Sequence, residues 1–179
     1  MTRIPLPARD DLPDELKERW DRTATCGPVL NIQRAFFNNP AIETNALRVW
    51  RASGLDPRAR ELVILRCAYR KDSRYEWHQH VRIARNEGLA DDDIRAVAAW
   101  PNSDRFTDDE RVLLAYVDEL AAVQRASDTV FDAFAKGRSP AEIFGVTYLI
   151  TLYFQLAQVM ANFDLETEDP FVGWDLAGS

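Results

Sequence analysis

The side chains best suited to chemistry lie between residues 61 and 88, in the segment ELVILRCAYRKDSRYEWHQHVRIARNEG. Glu61 stands alone in an apolar run, and a polar cluster follows that contains both histidines of the chain, His78 and His80. Histidine changes its charge near neutral pH, and a carboxylate beside it can favour proton transfer. The segment therefore predicts a proton-transfer site.

Helical spacing divides the polar cluster between two faces. On a helix that starts near residue 73, Glu76 and His80 are neighbours one turn apart, whereas Tyr75 and His78 lie on the opposite face. If the preceding helix packs antiparallel against this one, Glu61 lies beside His80 and the two form a Glu–His pair that can move a proton. The catalytic candidates share one face of this hairpin and are His80, Glu61, Glu76 and Ser73.

Each of these residues also has a structural interpretation. Ser73 and Glu76 have the spacing of a capping box, which would satisfy the first backbone N–H groups of the helix. Glu61 could form a structural ion pair with Arg58 or Arg66. For the other side chains the alternatives are core packing for Trp77 and surface or subunit-interface positions for Tyr75 and His78.

The sequence predicts neither a metal nor a cofactor. His78 and His80 are two positions apart and do not share a helical face, so they do not form a zinc site together. The paired Glu-x-x-His motifs of di-iron bundles are missing. No phosphate-binding loop, nucleophile elbow or dinucleotide fingerprint occurs among the seven glycines.

Three stretches of this region resemble the carboxymuconolactone decarboxylase family, which includes the alkylhydroperoxidase D-like proteins. They are RARELVILR at 58–66, YEWHQH at 75–80 and VRIARNEGL at 81–89. The resemblance implies an all-α fold in which a helical hairpin carries the active site. It also implies assembly into homo-oligomers, from dimers to hexamers, and a family core of about residues 40–125.

The peroxidase branch of that family is characterised by the motif E-x(11)-C-x-x-C-x-x-x-H. Glu61 and His80 match its ends, but Ser73 and Glu76 stand at the two cysteine positions. Peroxide reduction needs a thiolate and a resolving thiol, which serine and glutamate cannot supply. Cys67 is six residues before Ser73, on the other helix, and is expected to be a small buried hydrophobic residue. An alkylhydroperoxidase-like activity is therefore the alternative, not the first hypothesis.

The resemblance to the decarboxylase branch implies acid–base chemistry on a small lactone or carbonyl acid, either decarboxylation or isomerisation. In that scheme His80 donates the proton, Glu61 orients it, and Glu76 or Tyr75 binds or protonates the substrate. Trp77 and a stripe of Thr147, Thr151 and Gln155 would wall the pocket, and Arg58, Arg66 or Arg74 could bind a substrate carboxylate. A non-catalytic helical oligomer, with Glu61 and His80 as a buried ion pair, is the third hypothesis.

Helix-start and helix-stop signals occur along the whole chain and predict one all-α domain, a bundle of about seven to nine helices over residues 1–179. Asn39-Pro40 and Asp56-Pro57 each predict a start, for helices to about 54 and 71. A helix of about 73–88 follows. Capping boxes predict starts at 108 and 140, for helices to about 124 and 162. Further helices are expected at 14–22, 30–37, 91–99 and 128–136, and an acidic tail at about 165–179 is expected to dock through Phe171 and Trp174.

Composition and hydropathy limit the possible partners. A net charge of −7 argues against nucleic acid. The absence of a signal-like start and the two isolated cysteines favour a cytoplasmic location. Residues 143–163 carry no charge, but polar side chains recur within about 80° of one helical face, so we expect a buried core helix and no membrane span. The expected partners are a small-molecule substrate and further copies of the chain.

Overall fold

The structure, a computed structural model, describes residues 2–42 and 46–173. Within these residues it is all helical, as predicted. Two short 3-10 helices occupy Arg9–Asp11 and Trp100–Asn102. The nine α-helices are α1 (Asp14–Ala24), α2 (Asn31–Phe36), α3 (Ala46–Ser53), α4 (Pro57–Arg70), α5 (Arg74–Asn86), α6 (Asp91–Ala96), α7 (Asp108–Val123), α8 (Asp128–Ala135) and α9 (Pro140–Asn162).

Side-chain caps define the starts of the long helices. The Asp56 carboxylate accepts a hydrogen bond from the Ala59 N–H at 3.0 Å, with proline in the first turn of α4. Capping boxes begin α7 and α9 as predicted. The start predicted at Asn39-Pro40 is wrong: residues 37–41 form turns, and α3 is assigned only from Ala46. Proline is compatible with the first turn of a helix, but a short helix is also stabilised by packing against the rest of the protein.

Helix α4 is the centre of the bundle because it packs against α5, α7 and α9. One hydrophobic core lies between α4, α7, α8 and α9, and a second lies between α4, α5 and α6. Helix α3 crosses α9 so closely that a methyl group added to Gly145 would lie 2.2 Å from the carbonyl oxygen of Ala52. Glycine at this position therefore sets the distance between the two helices.

Helix α9 is half buried. It is long and apolar enough to cross a membrane by length and composition, a property that core helices share. The polar stripe does not line a pocket as predicted. Thr151 and Gln155 are exposed, and the Thr151 hydroxyl donates to the carbonyls of Thr147 and Tyr148 in its own helix. These hydroxyls satisfy backbone groups locally, so they need no cavity.

The C-terminal tail packs across the outer face of α5 as far as it is described. The Glu168 carboxylate accepts hydrogen bonds from the Tyr75 hydroxyl at 2.6 Å and the Gln79 amide at 2.5 Å. Phe171 lies 6.2 Å from His78, ring centre to ring centre, and the Val172 N–H donates to His78 Nδ1 at 3.2 Å. Docking of Phe171 is confirmed, whereas Trp174 lies outside the described residues.

The tail also corrects the prediction for the outer face of α5. Tyr75 and His78 do point away from the Glu76–His80 face, but they are buried, not at the surface. A helical wheel cannot reveal this burial because the covering segment is about ninety residues away in sequence. Tyr75 therefore anchors the tail and is not part of the site around His80.

Candidate active site

Glu61 and His80 meet across the α4–α5 hairpin. Glu61 Oε2 lies 2.7 Å from His80 Nδ1, with Glu61 fully buried and His80 6 % exposed. The predicted Glu–His pair is thus formed. A carboxylate on Nδ1 fixes the ring and directs the other nitrogen, Nε2, away from it. Nε2 has no hydrogen-bond partner among the described residues, so it is the atom available for proton transfer.

Arg60 is the cation of the site. Its Nε donates to Glu61 Oε1 at 2.8 Å, and its terminal nitrogen donates to Glu87 at 3.0 Å. Burial alone would raise the pKa of Glu61, but His80 and then Arg60 outweigh it, so that the pKa lies below its usual value. Glu61 is therefore ionised at neutral pH. The sequence analysis considered Arg58 and Arg66 for this ion pair and missed the adjacent Arg60.

Two aromatic residues that the sequence did not single out, Trp50 and Tyr153, lie against His80. Tyr153 meets the imidazole edge-on with ring centres 5.0 Å apart, and Trp50 does so at 6.0 Å. The indole N–H of Trp50 donates to the Tyr153 hydroxyl at 2.8 Å. The Arg60 guanidinium lies 4.6 Å from the centre of the Trp50 ring. The only signal for Tyr153 in the sequence is the uncharged stretch 143–163, because an apolar helix commonly places a tyrosine in the core.

Glu76 lies one turn before His80 and is 2 % exposed. Neither of its carboxyl oxygens has a hydrogen-bond partner among the described residues. The capping box predicted for Ser73 and Glu76 is not formed, because Ser73 occupies the N-cap of α5 without a side-chain capping bond. Burial raises the pKa of Glu76 well above its usual value, and the Ser73 side chain opposes this only in part. This shift favours the protonated, neutral form of the Glu76 side chain.

The predicted substrate-binding arginines have other roles. Arg58 binds two carboxylates, Asp93 and Glu110, each at 2.7 Å. Arg66 binds Asp118 through both ends of its guanidinium, at 2.7 and 2.8 Å, and donates to main-chain carbonyls as well. These ion pairs tie α4 to α6 and α7, so both residues stabilise the bundle.

The remaining predicted residues lie outside the site. Trp77 is fully buried in the second hydrophobic core, in agreement with the structural interpretation. Arg74 lies over the Phe171 ring at 4.5 Å. Thr151 is on the exposed face of α9. Of the predicted set, the structure brings together Glu61, His80 and Glu76, with Ser73 at the end of the same helix.

Cys67 lies fully buried in the core between α4 and α9, as predicted. Burial raises the pKa of its thiol well above the usual value. A thiol in this environment stays protonated and is a poor nucleophile. Among the described residues, no group of three or more His, Cys, Asp or Glu side chains is arranged to hold a metal ion.

Two cavities lie away from this cluster. The larger, about 630 Å³, is lined by the N-terminal segment and Phe37. The second, about 470 Å³, lies between the N-terminus of α5, the end of α9 and the tail, and Ser73 and Tyr75 contribute to its wall. Neither is lined by His80 or Glu61, and both of these residues are buried.

One known family matches the central part of the chain. The model of the Carboxymuconolactone decarboxylase family matches residues 40–119, from before α3 into α7. The Glu–His pair lies inside this segment, whereas Tyr153 of α9 comes from outside it. No curated protein matches the chain.

Solved structures of the same fold match almost the whole chain. A protein of unknown function from Agrobacterium tumefaciens is 23% identical, with a TM-score of 0.68, and covers 94% of this chain and 99% of its own. A peroxidase-related protein with an AhpD core from Ralstonia eutropha is 16% identical, with a TM-score of 0.75 and coverages of 95% and 94%.

A third similar structure is the debrominase Bmp8 bound to 2,3,4-tribromopyrrole. It is 16% identical to this chain, with a TM-score of 0.76, and covers 94% of each chain. At these identities the likeness establishes the fold and does not transfer an activity.

Proposed function

We propose that this protein catalyses proton transfer on a small carbonyl or lactone substrate, in an isomerisation or a decarboxylation, without a cofactor. The observation that carries the proposal is the 2.7 Å contact between Glu61 and His80 Nδ1, because it engages one ring nitrogen and leaves the other, Nε2, for a substrate. His80 moves the proton, and ionised Glu61 stabilises the imidazolium that forms. Arg60 holds Glu61 in place.

A thiol-dependent peroxidase is a poorer explanation of the same site. Ser73 and Glu76 occupy the positions where the peroxidase motif has cysteines. Cys67, the nearest thiol in the chain, is buried and protonated. A non-catalytic role for the Glu–His pair has one observation in its favour, the burial of the pair away from both cavities. The experiment below separates these hypotheses.

The test is hydrogen–deuterium exchange at the carbon next to the carbonyl group, followed by proton NMR in D₂O with a panel of small ketones and lactones. Wild type is expected to accelerate exchange of at least one of them. His80→Gln and Glu61→Gln should each lower the rate by at least about a hundredfold. His78→Gln, which alters the other histidine, is the matched control and should keep the rate.

The proposal is wrong if no compound in the panel exchanges faster with wild type, or if folded His80→Gln exchanges as fast as wild type. If no compound exchanges faster with wild type and Glu61→Gln has the thermal stability of wild type, a stabilising role of the Glu61–His80 ion pair is excluded as well. Dithiol-dependent consumption of peroxide that is lost in Cys67→Ser would instead favour the peroxidase hypothesis.

We also propose that the chain forms homo-oligomers, and the cytoplasmic location stays a prediction. Phe144 and Tyr148 support self-association because they stack on the exposed face of α9 and are 71% and 51% exposed. Light scattering after size-exclusion chromatography should give a mass above one chain for wild type. A monomeric wild-type protein at micromolar concentration would contradict this proposal.

A further inference from the structure

The hydroxyl of Tyr153 has a proton to donate at the site. This residue is 3 % exposed, and its oxygen accepts the Trp50 indole N–H at 2.8 Å. Because Trp50 occupies a lone pair of that oxygen, the phenol's own O–H is directed elsewhere. No described residue accepts it. The ring centres of Tyr153 and His80 are 5.0 Å apart and the two rings are nearly perpendicular, so the phenol packs against the imidazole.

Glu76 supplies a second unused donor. A buried carboxyl group without hydrogen-bond partners is stable only in its protonated form, and a protonated carboxyl has one O–H to donate. Glu76 lies on the His80 face of α5, one turn away. Burial raises the pKa of Tyr153 well above its usual value, so the phenol also keeps its proton.

We propose that Tyr153 and Glu76 form a pair of neutral hydrogen-bond donors that binds the carbonyl oxygen of the substrate beside His80. A phenol and a protonated carboxylic acid are suited to an oxygen that becomes negative only during the reaction. The substrate class that fits is an uncharged ketone or lactone with an acidic hydrogen next to the carbonyl. This inference rests on the proposed proton-transfer function.

The reaction balances without a further reactant. His80 Nε2 takes a proton from the carbon next to the carbonyl, and the electron pair of that C–H bond forms a C=C bond while the C=O pair moves to oxygen. Tyr153 and Glu76 hydrogen-bond the resulting enolate oxygen and keep their protons. In a β,γ-unsaturated substrate this enolate is a dienolate, and His80 then returns the proton to its γ-carbon, which gives the α,β-unsaturated isomer.

The charges around the site support an uncharged substrate. Arg60 already contacts two carboxylates, Glu61 and Glu87, at 2.8 and 3.0 Å. The other arginines of α4 that could have served are paired with acidic residues of α6 and α7. A substrate carboxylate beside ionised Glu61 would lose its hydration and gain no unpaired cation from these residues. Isomerisation of a neutral carbonyl compound is therefore favoured over decarboxylation of an acid.

The probe for this inference is 4-nitrophenol, whose phenolate is a planar mimic of an enolate and changes its absorbance on binding. Wild type should bind it. Tyr153→Phe and Glu76→Leu should each weaken binding by about ten- to a hundredfold. Glu76→Gln keeps an N–H donor and should restore most of the affinity. Tyr148→Phe, an exposed tyrosine of the same helix, is the control and should bind as wild type does.

Two further arms separate this inference from the proposed function. His80→Gln should lose proton exchange but still bind the phenolate, since it retains both donors. If exchange depends on His80 while Tyr153→Phe and Glu76→Leu keep both the exchange rate and the probe affinity, the donor pair is wrong and the proposed function stands. If the donors bind the probe but nothing exchanges, the proposed function fails alone.

The substrate class is tested by 5-hydroxy-2-nitrobenzoate, the same phenol with an added carboxylate. It should bind at least about tenfold more weakly than 4-nitrophenol because its second charge has no partner. Equal or tighter binding would overturn the assignment of an uncharged substrate. No binding of either phenol to wild type would overturn the donor pair.

Discussion

Replacing Glu76 by glutamine should change how the stability of the protein depends on pH. The folded chain keeps this carboxyl protonated because burial raises its pKa well above 4.5, the ordinary value, whereas the unfolded chain ionises near 4.5. Below that pH both states carry the proton. Above it only the folded state does, so the free energy of unfolding falls by up to about 1.4 kcal/mol for each pH unit until the folded group also ionises. Glutamine has nearly the same shape and does not titrate.

The expected difference is large enough to measure by thermal denaturation. For a chain of this size 1 kcal/mol corresponds to roughly 2–4 °C in Tm. The Tm of Glu76→Gln minus the Tm of wild type should therefore rise by about 3–6 °C per pH unit between pH 5 and 7. The slope is a difference between two proteins, so the titration of every other carboxylate cancels.

Circular dichroism melts at half-unit pH intervals provide the assay, and Glu15→Gln, at an exposed position of α1, is the matched control. The control should track wild type at every pH. Parallel wild-type and Glu76→Gln curves would refute the reasoning, because they would mean that folded and unfolded chains ionise Glu76 at the same pH. The neutral donor at the site would then be excluded as well.

Three other substitutions test structural statements. Gly145→Ala should lower the free energy of unfolding by about 1–3 kcal/mol because its methyl group meets the Ala52 carbonyl. At an open helical position the same change would instead raise the free energy of unfolding by about 0.5–1 kcal/mol. Urea denaturation measures the sign of the change in stability. Arg66→Met should lower the free energy of unfolding, measured by urea denaturation, by roughly 2–3 kcal/mol. Loss of a fully buried pair costs about 3–5 kcal/mol, and the effect here is smaller because the carboxylate partner is partly hydrated. Phenol binding should be unchanged. Burial lowers the pKa of His78, so wild type should lose stability as pH falls through 6.5, the ordinary value. In His78→Asn the side-chain oxygen can still accept from Val172, and the group does not titrate. The fall in Tm from pH 8 to pH 5.5 should therefore be smaller for His78→Asn than for wild type.

Local signals in the sequence were sufficient for most of the fold and for the centre of the site. Caps at Asp56, Thr107 and Ser139 define helix starts because each satisfies backbone groups within three residues. The pairing of Glu61 with His80 was also predictable, since a short turn between two helices makes them antiparallel neighbours. Such predictions succeed where a few adjacent residues determine the structure.

Several features that the sequence does not reveal depend on contacts between distant parts of the chain. Tyr153 reaches Trp50 across 103 residues, and no periodicity within α9 distinguishes it from an ordinary core tyrosine. The tail that buries His78 arrives from 94 residues away. Glu76 was predicted with equal weight as a cap, and only its lack of a partner in the packed structure separates the alternatives. These features depend on tertiary packing, which a single sequence does not specify.

The burial of Cys67 has a practical consequence. The chain has two thiols, and only Cys26 is exposed. A maleimide dye should therefore label the native protein once, at Cys26, without mutagenesis. In Cys26→Ser the maleimide can react with a thiol only at Cys67, which lies in the same hydrophobic core as Tyr153. The rate of that reaction measures how often the bundle opens at the candidate site. Labelling of Cys67 therefore reports the rate of the motion that would admit a substrate.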